Sequence, residues 1–160
     1  MRRLATLVVV AVAAVGCTKG GEAGPAGAQG TAAFLTWFDI ASSLTTSASA
    51  GTTSYGCETA PYTATGGEVA FITTRVGCGV PAGGSVAVRS AYNDGTSDGT
   101  VGFWMPSTNG AAGSQNLFNG GTGALALTAG TTYTFKTAVI DSGASQFCWC
   151  QTTVQVARQP

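Results

Sequence analysis

The chain has 160 residues, among them 24 Gly, 26 Ala and 24 Thr, and it contains no His. Its 7 basic and 7 acidic side chains amount to 9% of the residues, against roughly 25% in an ordinary soluble domain. This balance excludes the basic footprint that nucleic acid requires, and the lack of His removes both His-dependent catalysis and the commonest metal ligand. The scarcity of Glu, Lys and Arg favours strands and turns over long surface helices.

The chain opens on Met1-Arg2-Arg3, a basic start, followed by an uncharged apolar run from Leu4 to Val15. The run is too short to cross a bilayer core, which takes about 20 residues, but it has the length of a secretory h-region. It leads into Ala14-Val15-Gly16-Cys17. This sequence resembles the lipobox of bacterial lipoproteins, although Ala14 stands where that family usually has Leu. The resemblance implies cleavage after residue 16 and diacylglycerol on the Cys17 sulfur. Thr18 occupies the position where an Asp would favour inner-membrane retention, so the implied address is the outer membrane or cell surface. Residues 1–16 then form a signal peptide, and the mature chain keeps 5 basic and 7 acidic residues, a formal charge of −2. Attachment would rest on lipid, and stable anchoring needs more than one acyl chain.

Residues 17–32 form a tether. Gly21, Gly24, Gly27 and Gly30 keep a period of three, which ends where Ala33 takes the next Gly position. The run resembles the Gly-X-Y repeat of bacterial collagen-like proteins, where only Gly fits the triple-helix axis. Four triplets with one Pro make a short helix at best. A flexible spacer on a monomer is therefore expected ahead of a trimeric stalk.

Residues 33–160 are long enough for one domain with its own core, expected to be all-β. Phe34 to Ile40 reads as a first strand, and Ala41 to Tyr55 as a long loop or weak edge strand. Glu68 to Val76 is rich in β-branched and aromatic residues. Gly77 to Gly84 reads as loop, and Ser85 to Tyr92 alternates with Val86, Val88, Ser90 and Tyr92 on one face. Thr100 to Met105 places Val101, Phe103 and Met105 opposite Trp104, and Ala124 to Thr128 is a short strand. Thr131 to Ile140 and Gln146 to Ala157 present two facing apolar rows, expected to pair as a hairpin across Asp141–Ser145. Leu127-Thr-Ala-Gly130-Thr-Thr-Tyr133 resembles the tyrosine corner of Greek-key sandwiches, in which the Tyr hydroxyl bonds back to the upstream backbone. Together these signals predict a single antiparallel β-sandwich, immunoglobulin-like or jelly-roll-like in its Greek-key order.

Four cysteines remain if Cys17 carries lipid, and in an exported small domain an even number implies disulfides. Cys148 and Cys150 share one strand face, so each is expected to bridge outward to Cys57 or Cys78. A single Cys-Trp-Cys does not supply zinc spacing; no metal or cofactor is expected.

Val139-Ile140-Asp141-Ser142-Gly143-Ala144 resembles the active-site loop of retropepsin-type aspartic proteases, which implies Asp141 as a catalytic carboxylate. That fold needs two such loops, only 19 residues follow Asp141, and Asp-Ser-Gly is ordinary turn chemistry. Asn93–Gly99 is an acidic, Gly-punctuated loop with oxygens that could hold Ca²⁺, but it lacks EF-hand spacing, and a solvated turn is expected. Lys19 and Lys136 are the two lysines, poor material for a Ser-Lys dyad. No catalytic set is therefore expected. The remaining hint is aromatic: Trp37-Phe38, Phe103-Trp104 and Phe147-Cys148-Trp149 are each expected to divide their rings between core and surface. Trp37, Trp104 and Trp149 become candidate contacts for a glycan or a protein partner. The sequence thus points to a non-enzymatic, lipid-anchored envelope protein presenting a binding or structural sandwich. A trimeric collagen-like fibre tip is the alternative, and an aspartic-type hydrolase a remote one.

Overall fold

A computed structural model describes residues 33–46, 51–142 and 147–158. The readings of the signal peptide, Cys17 and the Gly-X-Y tether lie outside them, as do residues 143 and 144 of the aspartic-type loop. Among the described residues there is no helix. The strands are β1 (Ala33–Thr45), β2 (Thr53–Gly56), β3 (Tyr62–Thr63), β4 (Glu68–Val80), β5 (Ser85–Asn93), β6 (Asp98–Thr108), β7 (Gln115–Leu127), β8 (Thr132–Asp141) and β9 (Phe147–Arg158).

Two antiparallel sheets pack face to face. Sheet A runs β1-β9-β4-β7, and sheet B runs β2-β8-β5-β6 with the two-residue β3 also on β8. The pairings are nested: β1 with β9, β2 with β8, β4 with β7 and β5 with β6. The chain is therefore one long antiparallel ribbon folded at the β5–β6 hairpin. Rolling it up adds the β4–β9 and β5–β8 contacts. This is the jelly-roll member of the two expected Greek-key orders.

The roll corrects several local expectations. β8 and β9 do not form a hairpin; they lie in different sheets, and their apolar rows meet through the core, where Thr137 and Thr152 hydroxyls bond at 2.8 Å. Alternation alone cannot distinguish rows facing across a sandwich from rows sharing a sheet. Gly77–Val80 continues β4 rather than looping, because Cys78 sits opposite Cys148 in register. β1 extends to Thr45, so Ala41–Thr45 is a true edge strand. β7 begins at Gln115, nine residues before the short strand expected from Ala124.

The core has two lobes. One holds Val76, Val80, Val86, Val88 and Val139 around the four cysteines. The other holds Ile72, Phe135, Tyr133, Val154 and Val156, with Tyr133 and Phe135 rings stacked. Between them lies a belt of buried hydroxyls, Thr74, Ser90, Thr137 and Thr152. Ser90 Oγ donates to the Ile72 carbonyl at 3.2 Å and Thr74 Oγ1 to the Gly121 carbonyl at 3.2 Å. The disulfides are Cys57–Cys150 and Cys78–Cys148, with sequence separations of 93 and 70. Thr128 N–H donates to the Tyr133 hydroxyl at 3.0 Å, which is the bond expected of a tyrosine corner.

Candidate binding face

Side chains alternate across a strand, so the residues of sheet A that do not enter the core form one outer face. The pairing register arranges them in rows. The first row is Trp37, Gln155, Phe71 and Ala124. Next come Asp39, Thr153, Thr73 and Thr122, and then Ala41, Gln151, Arg75 and Gly120. The fourth row is Ser43, Trp149, Gly77 and Phe118. Phe147, Gly79 and Asn116 continue the face beyond it.

Large apolar side chains stand open at both ends of this face. Trp37 is 54% exposed and Phe71 50%, while Phe118 is 78%, Phe147 69% and Trp149 45%. Gly77 separates Trp149 from Phe118, and the Phe118 ring lies over it; a Cβ at residue 77 would meet that ring at 2.8 Å. Glycine here leaves a floor on which the neighbouring ring rests. A bulge in β6 brings further apolar groups to the β7 border. Gly102, Phe103 and Trp104 together lie opposite Arg89, between the pairs Ser90↔Val101 and Val88↔Met105. Gly102 takes φ 78° and packs against the Thr122 carbonyl, and Phe103 and Met105 line the groove beside Arg75 and Gly120.

The middle rows are polar and almost uncharged. Asp39 accepts from Gln151 Nε2 at 2.8 Å and from Thr153 Oγ1 at 3.1 Å. The side chains of Thr73, Arg75 and Thr122 have no hydrogen-bond or ion-pair partner among the described residues. Asp39 and Arg75 are the charged members of the four rows, so the face carries no net charge.

The three tryptophans do not form one cluster. Trp149 lies with Phe118 and Phe147. Trp37 is at the other end of the same face, and Trp104 belongs to sheet B under the Arg89 guanidinium, 5.8 Å from the ring centre. The expected division of rings holds for Trp37-Phe38, with Phe38 against Tyr62 and Phe135. It fails for Phe147 and Trp149, which are two residues apart and both point outward with Cys148 buried between them. Phe71, Phe118, Arg75 and Met105 were not anticipated. The period-two pattern around Phe71 carried that signal, whereas Phe118 sits in a Gly- and Asn-rich stretch that suggests no strand.

The other candidates are occupied by structural contacts. Asp94 accepts from Thr96 N, Thr96 Oγ1 and Ser97 N, and these bonds, the Thr96 hydroxyl foremost, lower its carboxyl to about 2. Asp98 is ion-paired with Lys136 and accepts from Asn93 Nδ2; the lysine, first of all, holds its carboxyl below the usual range. Lys136 is buried beneath the Tyr55 ring at 4.5 Å. Among the described residues no three metal-ligating side chains come together. Asp141 is buried at the end of β8, with its carbonyl accepting from Gly51 N. Asp39, Glu68, Asp94 and Asp98 each accept hydrogen bonds from partners of their own. The chain matches no protein-family model, and no curated protein matches it significantly.

Proposed function

We propose that this protein is an exported, non-enzymatic lipoprotein of the cell envelope, anchored through Cys17, whose jelly-roll domain is a binding module using the outer face of sheet A. The observation that carries the reading is the grouping of Trp149, Phe118 and Phe147 with Met105 and Phe103 on an open sheet surface that carries no net charge. Contiguous exposed apolar patches beyond a few hundred Å² are uncommon on monomers and mark interaction sites. The apolar segment ending in Ala14-Val15-Gly16-Cys17 supports the address, and the Gly-rich residues 18–32 would hold the face clear of the lipid.

The anchor is tested by Cys17→Ser, since a hydroxyl cannot take the place of the sulfur that receives diacylglycerol. The variant should leave the detergent phase in a two-phase partition and lose lipid-precursor label, and unchanged partitioning would refute the anchor. The Gly-X-Y period favours one second reading, a trimeric fibre tip. A trimer mass for the chain in detergent would select it over the monomer proposed here.

A further inference from the structure

We infer that the outer face of sheet A binds an extended, uncharged glycan of pyranose rings with equatorial hydroxyls. This rests on the reading of that face as the binding surface and names its ligand class. Such a chain presents flat C–H faces along its length and a rim of hydroxyl groups. The sheet presents the complement, aromatic rings at both ends and hydrogen-bonding side chains between.

Trp37 and Phe71 share one row, and Trp149 and Phe118 share another six residues along the strands. Two aromatic stations therefore stand about 20 Å apart. Between them, the Thr73 and Thr122 hydroxyls and the Arg75 guanidinium have no partner among the described residues, and the Asp39 carboxylate is already oriented by Gln151 and Thr153.

Charge complementarity selects the occupant. One carboxylate and one guanidinium leave the face with no net charge to gather an ionic polymer. A second copy of the chain would press two identical polar bands together. Such pairing would rest on a self-complementary register of Asp39, Arg75 and the threonines, and each donor left unmade there costs more than a formed bond returns. A lipid tail or apolar peptide would strand the same groups. Ring hydroxyls both donate and accept, so they satisfy the band while the ring faces stack at its ends.

Two stations on one ligand make binding length-dependent. A single ring engages one station; a chain long enough to reach both engages the second intramolecularly. The test is calorimetric and tryptophan-fluorescence titration of the full chain in detergent with cellohexaose and chitohexaose, and with glucose and N-acetylglucosamine. At least one hexasaccharide should bind, and its monosaccharide should bind about 100-fold or more weakly. Trp37→Ala and Trp149→Ala should each weaken the hexasaccharide about tenfold, while Trp104→Ala on the opposite sheet should not.

Equal affinity for monosaccharide and hexasaccharide, or indifference to both station variants, would overturn the inference. So would the failure of both hexasaccharides to bind. If that failure comes with self-association that Trp149→Ala abolishes, the face remains the binding surface and only the ligand class falls. If neither glycan binding nor association depends on Trp149 or Phe118, both readings fall together.

Discussion

The Thr137–Thr152 pair shows how single residues shape this core. Each hydroxyl is buried with the other as its partner at 2.8 Å, at the waist between the two apolar lobes. Replacing one of them by the isosteric Val removes a bond and leaves the other oxygen without that partner. Replacing both removes the polar pair altogether. Thr137→Val or Thr152→Val alone should cost about 1–3 kcal/mol, while the double variant should be nearly as stable as the native chain. Urea unfolding of the four proteins measures the coupling, and additive losses would show that the two hydroxyls do not act as a pair.

At the scale of elements, Glu68 ties the start of β4 to the end of β9. Its side chain is fully buried and accepts from Thr65 N at 3.0 Å, from the Thr65 hydroxyl and from the Arg158 guanidinium at 3.3 Å. Burial is the largest influence and raises its carboxyl, but the bonds from Thr65, Arg158 and Tyr62 together outweigh it, and the net shift is downward. A depressed folded-state value means that this carboxylate stabilises the fold above its unfolded titration, near 4.3. The contribution is lost as pH falls through the folded value. Melting temperature should therefore fall on acidification below about pH 4.5, and Glu68→Gln should flatten that dependence. Arg158→Gln, which removes one of the lowering bonds, should shift the loss to higher pH. An unchanged acid profile in Glu68→Gln would assign the dependence to Asp94 and Asp98.

For the whole molecule, the two disulfides differ in what they join. Cys78 and Cys148 are opposite neighbours within sheet A, whereas Cys57–Cys150 links the end of β2, on sheet B, to β9 of sheet A. Cys57 is also the one described non-glycine residue with positive φ, 52°, a conformation its bridge helps to hold. With separations of 93 and 70 residues, each bridge removes up to about 4–5 kcal/mol of denatured-chain freedom in the entropy model. A domain's net stability is about 5–15 kcal/mol. Full reduction should lower the melting temperature by more than about 10 °C or unfold the chain. Unreduced peptide maps should link Cys57 and Cys78 separately to the Cys148–Cys150 peptide. A Cys148–Cys150 bridge in those maps would contradict the arrangement.

What the sequence determined by itself were properties set by local chemistry. Alternating apolar residues from Ser85 to Tyr92 and from Thr131 to Ile140 specify strands because their period is that of the pleat. Leu127, Gly130 and Tyr133 specify a corner because the bond that closes it, from Thr128 N–H to the Tyr133 hydroxyl, is local to the same short stretch. The shared face of Cys148 and Cys150 directs both sulfurs to partners elsewhere in the chain. What only the tertiary structure decided were properties of pairing between distant segments. Whether the rows of β8 and β9 lie side by side or across the core depends on where β1, β4 and β5 dock. Gly77–Val80 and Gln115–Phe118 become strands because they pair with each other and, at Gly77 and Cys78, with β9, against their weak intrinsic preference. The candidate binding face arises the same way. Trp37, Phe71, Phe118 and Trp149 are far apart in the chain, and they share a surface only because the ribbon rolls β1, β9, β4 and β7 into one sheet.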